Sequence, residues 1–312
     1  MSYAFFNLTV LIMVCAAAAG CDPSAMTKRS GSGNDKTNSS FPRPSARTEL
    51  LKKIQNQSKQ QEQATLLAIV QHDDAKSIRY EALEYLSVMG SDASSLGIPL
   101  AEQLLVESAD SLVRKLQSTL VEIDADIEEF LVAAAKTADE EQMSRIVETL
   151  GDVSANKPKP LEFLMQRLSL QDRLDQQAAC DSLAKIGPAA QLALPKLIEI
   201  AARPQVALKG NQDGGLAYRE SRDLHLAALS AIAAIGASEQ SIPVLTSALS
   251  GDPFSAQIAA DALATLGPRA ASALPELEKL KARNDYLGRA IAIAMAVKAA
   301  KQAIAAIKPV GN

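Results

Sequence analysis

Two segments of this chain are near copies of one another. DSLAKIGPAAQLALPKLIEIA (181–201) and DALATLGPRAASALPELEKLK (261–281) both begin with Asp. Both set Leu-Ala before a hydrophobic-Gly-Pro corner and run through Ala-Leu-Pro into a second apolar stripe. Weaker copies occupy 81–105, 146–168 and 229–249. Their corner glycines are Gly90, Gly151, Gly187, Gly236 and Gly267; Pro99, Pro160, Pro195, Pro243 and Pro275 follow seven to nine residues later. Recurrence at this period means supersecondary units that cannot bury their apolar faces alone and must pack on one another.

Each copy reads as a helix ended by glycine, a short corner, and a second helix opened by proline. Glycine just past a helix end can take the left-handed conformation that closes the last turn. Proline in a first turn loses no hydrogen bond, because that amide has no intrahelical partner. In the copy at 252–281, Asp252-Pro253 marks a helix start, and Phe254, Ile258, Ala262 and Leu266 then fall every four residues. The interval from Gly90 to Gly151 is 61 residues, room for two units, with the missing corner expected near Ile123-Asp124. The interval from Gly187 to Gly236 is 49. Its excess falls in 203–221, which has Gly210, Gly214 and Gly215 and no apolar period, so a loop inserted between units is expected there. Residues 286–308 predict one long capping helix.

This array resembles HEAT repeats, in particular the short HEAT-like type also found in phycobilin lyases, over about 47–308 and most closely over 172–281. The resemblance implies an all-α fold: a right-handed α-solenoid of stacked antiparallel helix pairs, an armadillo-like superhelix whose concave face binds a partner. HEAT repeats also favour an Asp followed by Arg, stacked as a ladder, and Asp74/Arg79, Asp110/Arg114 and Asp285/Arg289 match that pattern. The concave face is expected from second helices, around Gln103, Gln166, Arg167, Lys196, Glu199, Lys279 and Arg283.

The N-terminus carries a different signal. Phe5 to Gly20 is apolar except for Asn7 and Thr9, which is short for a membrane span and suits a signal-peptide core. It closes on Ala18-Ala19-Gly20-Cys21, which resembles a bacterial lipobox. That resemblance implies cleavage before Cys21, acylation of Cys21, and a chain anchored to a membrane on the periplasmic side. Asp22 resembles an inner-membrane retention signal. An ordinary secretory leader cut near Ala19 and an uncleaved anchor are the other readings. Residues 21–45 are rich in Ser, Gly, Asn and Pro, with too little to bury to offset ordering, and read as a disordered linker. At roughly 5–6 Å times the square root of its length it reaches roughly 25–30 Å. The domains are therefore 1–20 signal peptide, 21–45 lipidated cysteine and linker, and 46–308 repeats.

Composition narrows the function classes. The chain has 32 Lys+Arg against 36 Asp+Glu, a net of −4. Residues 1–20 are uncharged and the linker carries +2 (Lys28, Arg29, Lys36, Arg43 against Asp22, Asp35), so −4 less +2 leaves −6 for the repeats. A mildly acidic body argues against nucleic acid, which needs a concentrated basic face. There are two histidines, His72 and His225, and three cysteines, Cys15, Cys21 and Cys180, none at metal or disulfide spacing. The loop sequence GNQDGG matches no phosphate-binding fingerprint, and the acidic run Glu122, Asp124, Asp126, Glu128, Glu129 lacks a calcium-loop glycine. No cofactor, metal or catalytic residue is expected. The leading expectation is a non-catalytic envelope scaffold for an unknown protein or peptide; the alternatives are a phycobilin-lyase-like or other enzyme on the same scaffold, and a purely structural spacer.

Overall fold

The computed structural model describes residues 48, 50, 52–154, 160–205, 214–282 and 290–308. The expected leader, Cys21, the linker to residue 45, and 206–213 lie outside the described residues. Among the described residues every regular element is helical and no strand occurs. In chain order the helices are α1 (Lys59–His72), α2 (Lys76–Met89), α3 (Gly97–Val106), α4 (Asp110–Glu122), α5 (Glu128–Ala134), α6 (Glu140–Val153) and α7 (Leu161–Leu168). There follow α8 (Arg173–Ile186), α9 (Leu194–Ala201), α10 (Gly214–Ile235), α11 (Ile242–Ala248), α12 (Pro253–Leu266), α13 (Leu274–Ala282) and α14 (Ala290–Ile307). Pairs α2/α3, α8/α9 and α12/α13 are joined by 3₁₀ segments at Gly90–Leu96, Gly187–Ala193 and Gly267–Ala273.

The strongest unit shows why these residues form these elements. Asp172 caps α8 by accepting hydrogen bonds from the backbone N–H groups of Leu174 and Asp175, a contribution of about 1 kcal/mol. Gln176, Ala179, Cys180, Leu183 and Ile186 then fall on one face and are buried. Gly187 ends the helix at φ +67°. Gly90, Gly236 and Gly267 likewise have positive φ, at +57°, +109° and +56°, where a Cβ would crowd the following carbonyl.

Two corners depart from the glycine pattern. The missing corner near Ile123-Asp124 is present, and Asp124 itself takes the left-handed conformation at φ +49°. The Ala125 N–H bonds Leu120 O at 3.2 Å and the Asp124 N–H bonds Val121 O at 3.0 Å, the closure a glycine usually makes. Aspartate tolerates this region where branched residues do not. Asp124→Val should therefore cost about 1–2 kcal/mol in urea unfolding. Gly151, expected as a corner, lies inside α6, and the turn falls at Ser154. With corners at 90, 124, 154, 187, 236 and 267 the spacings are 34, 30, 33, 49 and 31.

The 49-residue interval also differs from expectation. Residues 214–221, expected as loop, form the first two turns of α10. Helix starts fall fifteen residues before the corner at Asp172 and Asp252, so the register places this one at Ser221. The insertion instead lengthens the helix by two turns, because Leu216 to Glu220 holds no proline and continues the helix without a break.

Packing follows chain order. Each first helix packs on the next, from α2 through α4, α6, α8, α10 and α12 to α14. Each second helix (α3, α5, α7, α9, α11, α13) also packs against the first helix that follows it. The apolar core forms two clusters, spanning Leu50 to Val153 and Val147 to Ile307, that meet on α6. Met143 and Phe163 touch both. Fully buried leucines such as Leu83, Leu116, Leu150, Leu183 and Leu263 recur unit by unit, each contributing about 1.5–3 kcal/mol.

Candidate functional site

One repeat position does the same work in three units. Arg79, Gln176 and His225 each stand eleven residues before their corner glycine. Each reaches back to the carbonyls that end the preceding helix. Arg79 Nε donates to Val70 O at 2.6 Å. Gln176 Nε2 donates to Leu168 O at 2.8 Å and Leu170 O at 2.6 Å. His225 Nδ1 donates to Ala201 O at 3.0 Å, which sets the tautomer because a carbonyl only accepts. Last-turn carbonyls have no intrahelical donor, so these side chains satisfy them and bind unit to unit.

Of the Asp–Arg pairs expected from the resemblance, Asp285/Arg289 lies outside the described residues, and Arg79 finds a different partner. Arg79 pairs with buried Glu107 at the end of α3. Arg145 donates to the carbonyls of Leu104 at 2.9 Å and Glu107 at 2.7 Å. Asp73, rather than Asp74, takes the polar role beside α2, accepting from Lys53 and the Ala75 amide at 2.9 Å each.

His225 thereby has the partner the sequence did not name. Burial pushes its pKa below 6.5, partly opposed by the bond to Ala201 O. It is neutral at pH 7. Below pH 6.5 the unfolded chain takes up the proton more readily than the folded one, so stability falls until the pH passes the folded value. The urea midpoint is expected to drop between pH 7.5 and 5.5, and His225→Gln, which keeps the donor, should flatten that drop.

Cys180 is buried, and burial first, with Asp181 adding to it, pushes its thiol well above the usual range. It packs as a small apolar residue and is no nucleophile at neutral pH. In the acidic run, Glu122, Asp124, Asp126 and Glu129 are exposed as expected, but Glu128 is buried. Among the described residues no group of three His, Cys, Asp or Glu is placed to hold a metal. No described helix is long and apolar enough to cross a membrane.

Three pockets lie side by side along the second helices. The first, about 510 Å³, is lined by Val132 of α5, Ala135 just past its end, Met143 of α6, Phe163 and Arg167 of α7, and Leu170. The second, about 490 Å³, shares Leu170 and is lined by Arg173, Lys196, Glu199, Arg203 and His225. The third, about 460 Å³, shares Arg203, Pro204 and His225 and continues to Pro243 and Val244 of α11. Of the expected face residues, Gln166 and Arg167 line the first pocket and Lys196 and Glu199 the second. Gln103 instead bonds Glu107 at 3.2 Å and Lys279 pairs with Glu276 at 2.6 Å. Arg283 lies outside the described residues.

The middle pocket is the most charged. Lys196 Nζ is 2.8 Å from Glu199, and Arg203 is 3.5 Å from the same carboxylate. Lys196 foremost, then Arg203, holds Glu199 below the ordinary carboxylate range. Arg203 also donates to Gln176 Oε1 at 3.0 Å, tying the pocket to the unit-to-unit contact. Ser221, Leu224 and His225 of α10 supply the opposite wall. Beside it, Arg173 bonds Ala217 O at 3.4 Å and lies 3.8 Å from Glu220, so the added turns of α10 rest on the pocket rim. Arg173 is the first residue of α8 and Arg203 lies just past α9, so neither stands out from the apolar period.

Fold and site together define an all-helical protein of helix–corner–helix units with a pocketed second-helix face. Compared with known proteins, the chain matches no family model and no curated protein sequence.

Proposed function

We propose that this protein is a non-catalytic scaffold of the bacterial envelope. Residues 46–308 form a HEAT-like right-handed solenoid, tethered through 21–45 to a lipid on Cys21, that binds a protein or peptide segment along its second helices. The chain-order packing of α2 through α14 supports the solenoid, since successive units pack on one another. The observation that carries the binding role is the row of three adjoining pockets on α5, α7, α9 and α11. Such a row suits an extended segment, with side chains of one face entering successive pockets. Aromatic lining is confined to Phe163 in these pockets, so affinity is expected to be moderate.

Photocrosslinkers placed singly at Gln166 and Lys196 of the membrane-bound chain test the binding face. Adducts to the same protein partner from both positions, and none from exposed Val88, are expected. Adducts from Val88 alone would place binding elsewhere. Mass analysis of the mature N-terminus tests the anchor: a diacylated or triacylated Cys21 is expected, and an unmodified chain starting near residue 20 would exclude it.

A further inference from the structure

The middle pocket gathers three cations, where the first has two, Lys136 and Arg167, beside Glu162. The three are Arg173, Lys196 and Arg203. Glu199 and Glu220 are the carboxylates within ion-pair distance of them. Half-buried His225 is neutral, so the pocket carries one positive charge in excess on a chain whose net charge is −4. One carboxylate, that of Glu199, is shared by two cations, and the 3.8 Å from Arg173 to Glu220 is beyond hydrogen-bond reach. The N–H groups of Arg173, Lys196 and Arg203 are therefore not saturated by the acids present. The adjoining pocket is lined by Val132, Ala135, Met143 and Phe163 together with Lys136, Glu162 and Arg167, and the two meet at Leu170, which is 40% exposed.

We propose that the pocket between α7 and α9 binds a side-chain carboxylate of an acidic partner peptide at Arg173, Lys196 and Arg203, while the pocket between α5 and α7 takes an aliphatic side chain of the same peptide. Glu199 is the internal occupant with which that carboxylate competes. The proposal rests on the reading that the second-helix face binds a protein segment, and it adds what that segment must contain. Successive second helices stand about 8–10 Å apart, so the two pockets are about three residues apart along a polyproline-II-like chain at about 3.1 Å per residue, whose threefold period puts both side chains on one face. The partner motif is an aliphatic residue and an acidic residue separated by two others. Nucleic acid is a poor occupant, because its affinity comes from many phosphates and the pocket has a single charge in excess. The cleft also gives the insertion a purpose: the added turns of α10 put Ala217 O and Glu220 against Arg173 and hold it at the rim.

The test uses the full mature chain in detergent and an array of blocked heptapeptides. Each carries one Leu and one Glu at every spacing and in both orders, in a Gly/Ser background. The strongest binding is expected for Leu and Glu three positions apart, with about tenfold loss when Glu is replaced by Gln. Glu199→Gln should tighten the acidic peptides by about threefold to tenfold, because it removes the competitor. Lys196→Gln should weaken them without moving the melting temperature, since Lys196 is paired only with its helix neighbour Glu199. Equal binding of Lys-for-Glu peptides, or weaker acidic binding in Glu199→Gln, overturns the proposal. Vesicles of equal phosphatidylglycerol and phosphatidylcholine form a second arm: capture by them that Lys196→Gln abolishes, with no peptide discrimination, would assign the pocket to a lipid headgroup instead. If no array peptide binds while Gln166 and Lys196 still crosslink one partner in membranes, this inference fails and the scaffold reading stands. If the crosslinks are absent as well, both fail.

Discussion

Gly151→Ala is expected to destabilise the protein by about 1–3 kcal/mol, although alanine is the better helix former by about 1 kcal/mol. A Cβ at this position would stand 2.7 Å from Ser182 Cα and 2.9 Å from its Cβ. Backbone on the facing helix cannot step aside cheaply in a close-packed core. The contact is where α6 meets α8, and Ser182 Oγ, 2.7 Å from Val147 O and 2.9 Å from Ala178 O, holds the same crossing. Gly151→Val should cost more, since it adds two further methyl groups to the same space. Gly215→Ala is the control: nothing lies within 4 Å of its added Cβ, and no loss is expected. Urea unfolding of the three variants at one pH separates packing from helix propensity.

Arg79→Met is expected to cost about 3–5 kcal/mol, the penalty of leaving a buried charge without its partner. The side chains of Arg79 and Glu107 are 13% and 4% exposed, so water cannot take over. Burial alone would raise the pKa of Glu107, but the Ala109 amide, Arg79 and Gln103 outweigh it and hold the group below 4.5. That stabilisation is present above pH 4.5 and is lost as the pH falls through the lower folded value. In Arg79→Met the Glu107 pKa rises, so the acid-induced loss should become shallower while stability at pH 7 falls. Equal losses at pH 7 and pH 3.5 would show that Arg79 acts through packing rather than charge.

How much of this was legible in the sequence depended on which residues carry period. Gly187 and Gly267 fixed two corners because glycine and proline each solve a backbone problem that few other residues can. Asp124 solves the same problem without being glycine, so only the spacing pointed to it. Gly151 misled for the opposite reason: its missing side chain serves a helix crossing, and the Ser182 backbone it meets lies 31 residues away. The first turns of α10 were read as loop because two glycines sit at their start, while the helix that follows them has no break. The pocket was legible only in part. Lys196 and Glu199 lie on the exposed side of a periodic helix and could be placed. Arg173, Arg203 and His225 enter the site through contacts between units, which spacing within one unit does not report. The shared role of Arg79, Gln176 and His225 became visible only when their distances to carbonyls were compared, because Arg, Gln and His look unrelated as letters.

The central claim is that the repeats form a one-dimensional array in which units pack in chain order. Small-angle X-ray scattering of the unit from Pro42 to Asn312 tests it directly. Neighbouring helices about 8–10 Å apart, repeated across the units from α2 to α14, predict a radius of gyration of about 23 Å. A value of about 18 Å, that of a compact globule of this length, would contradict the array.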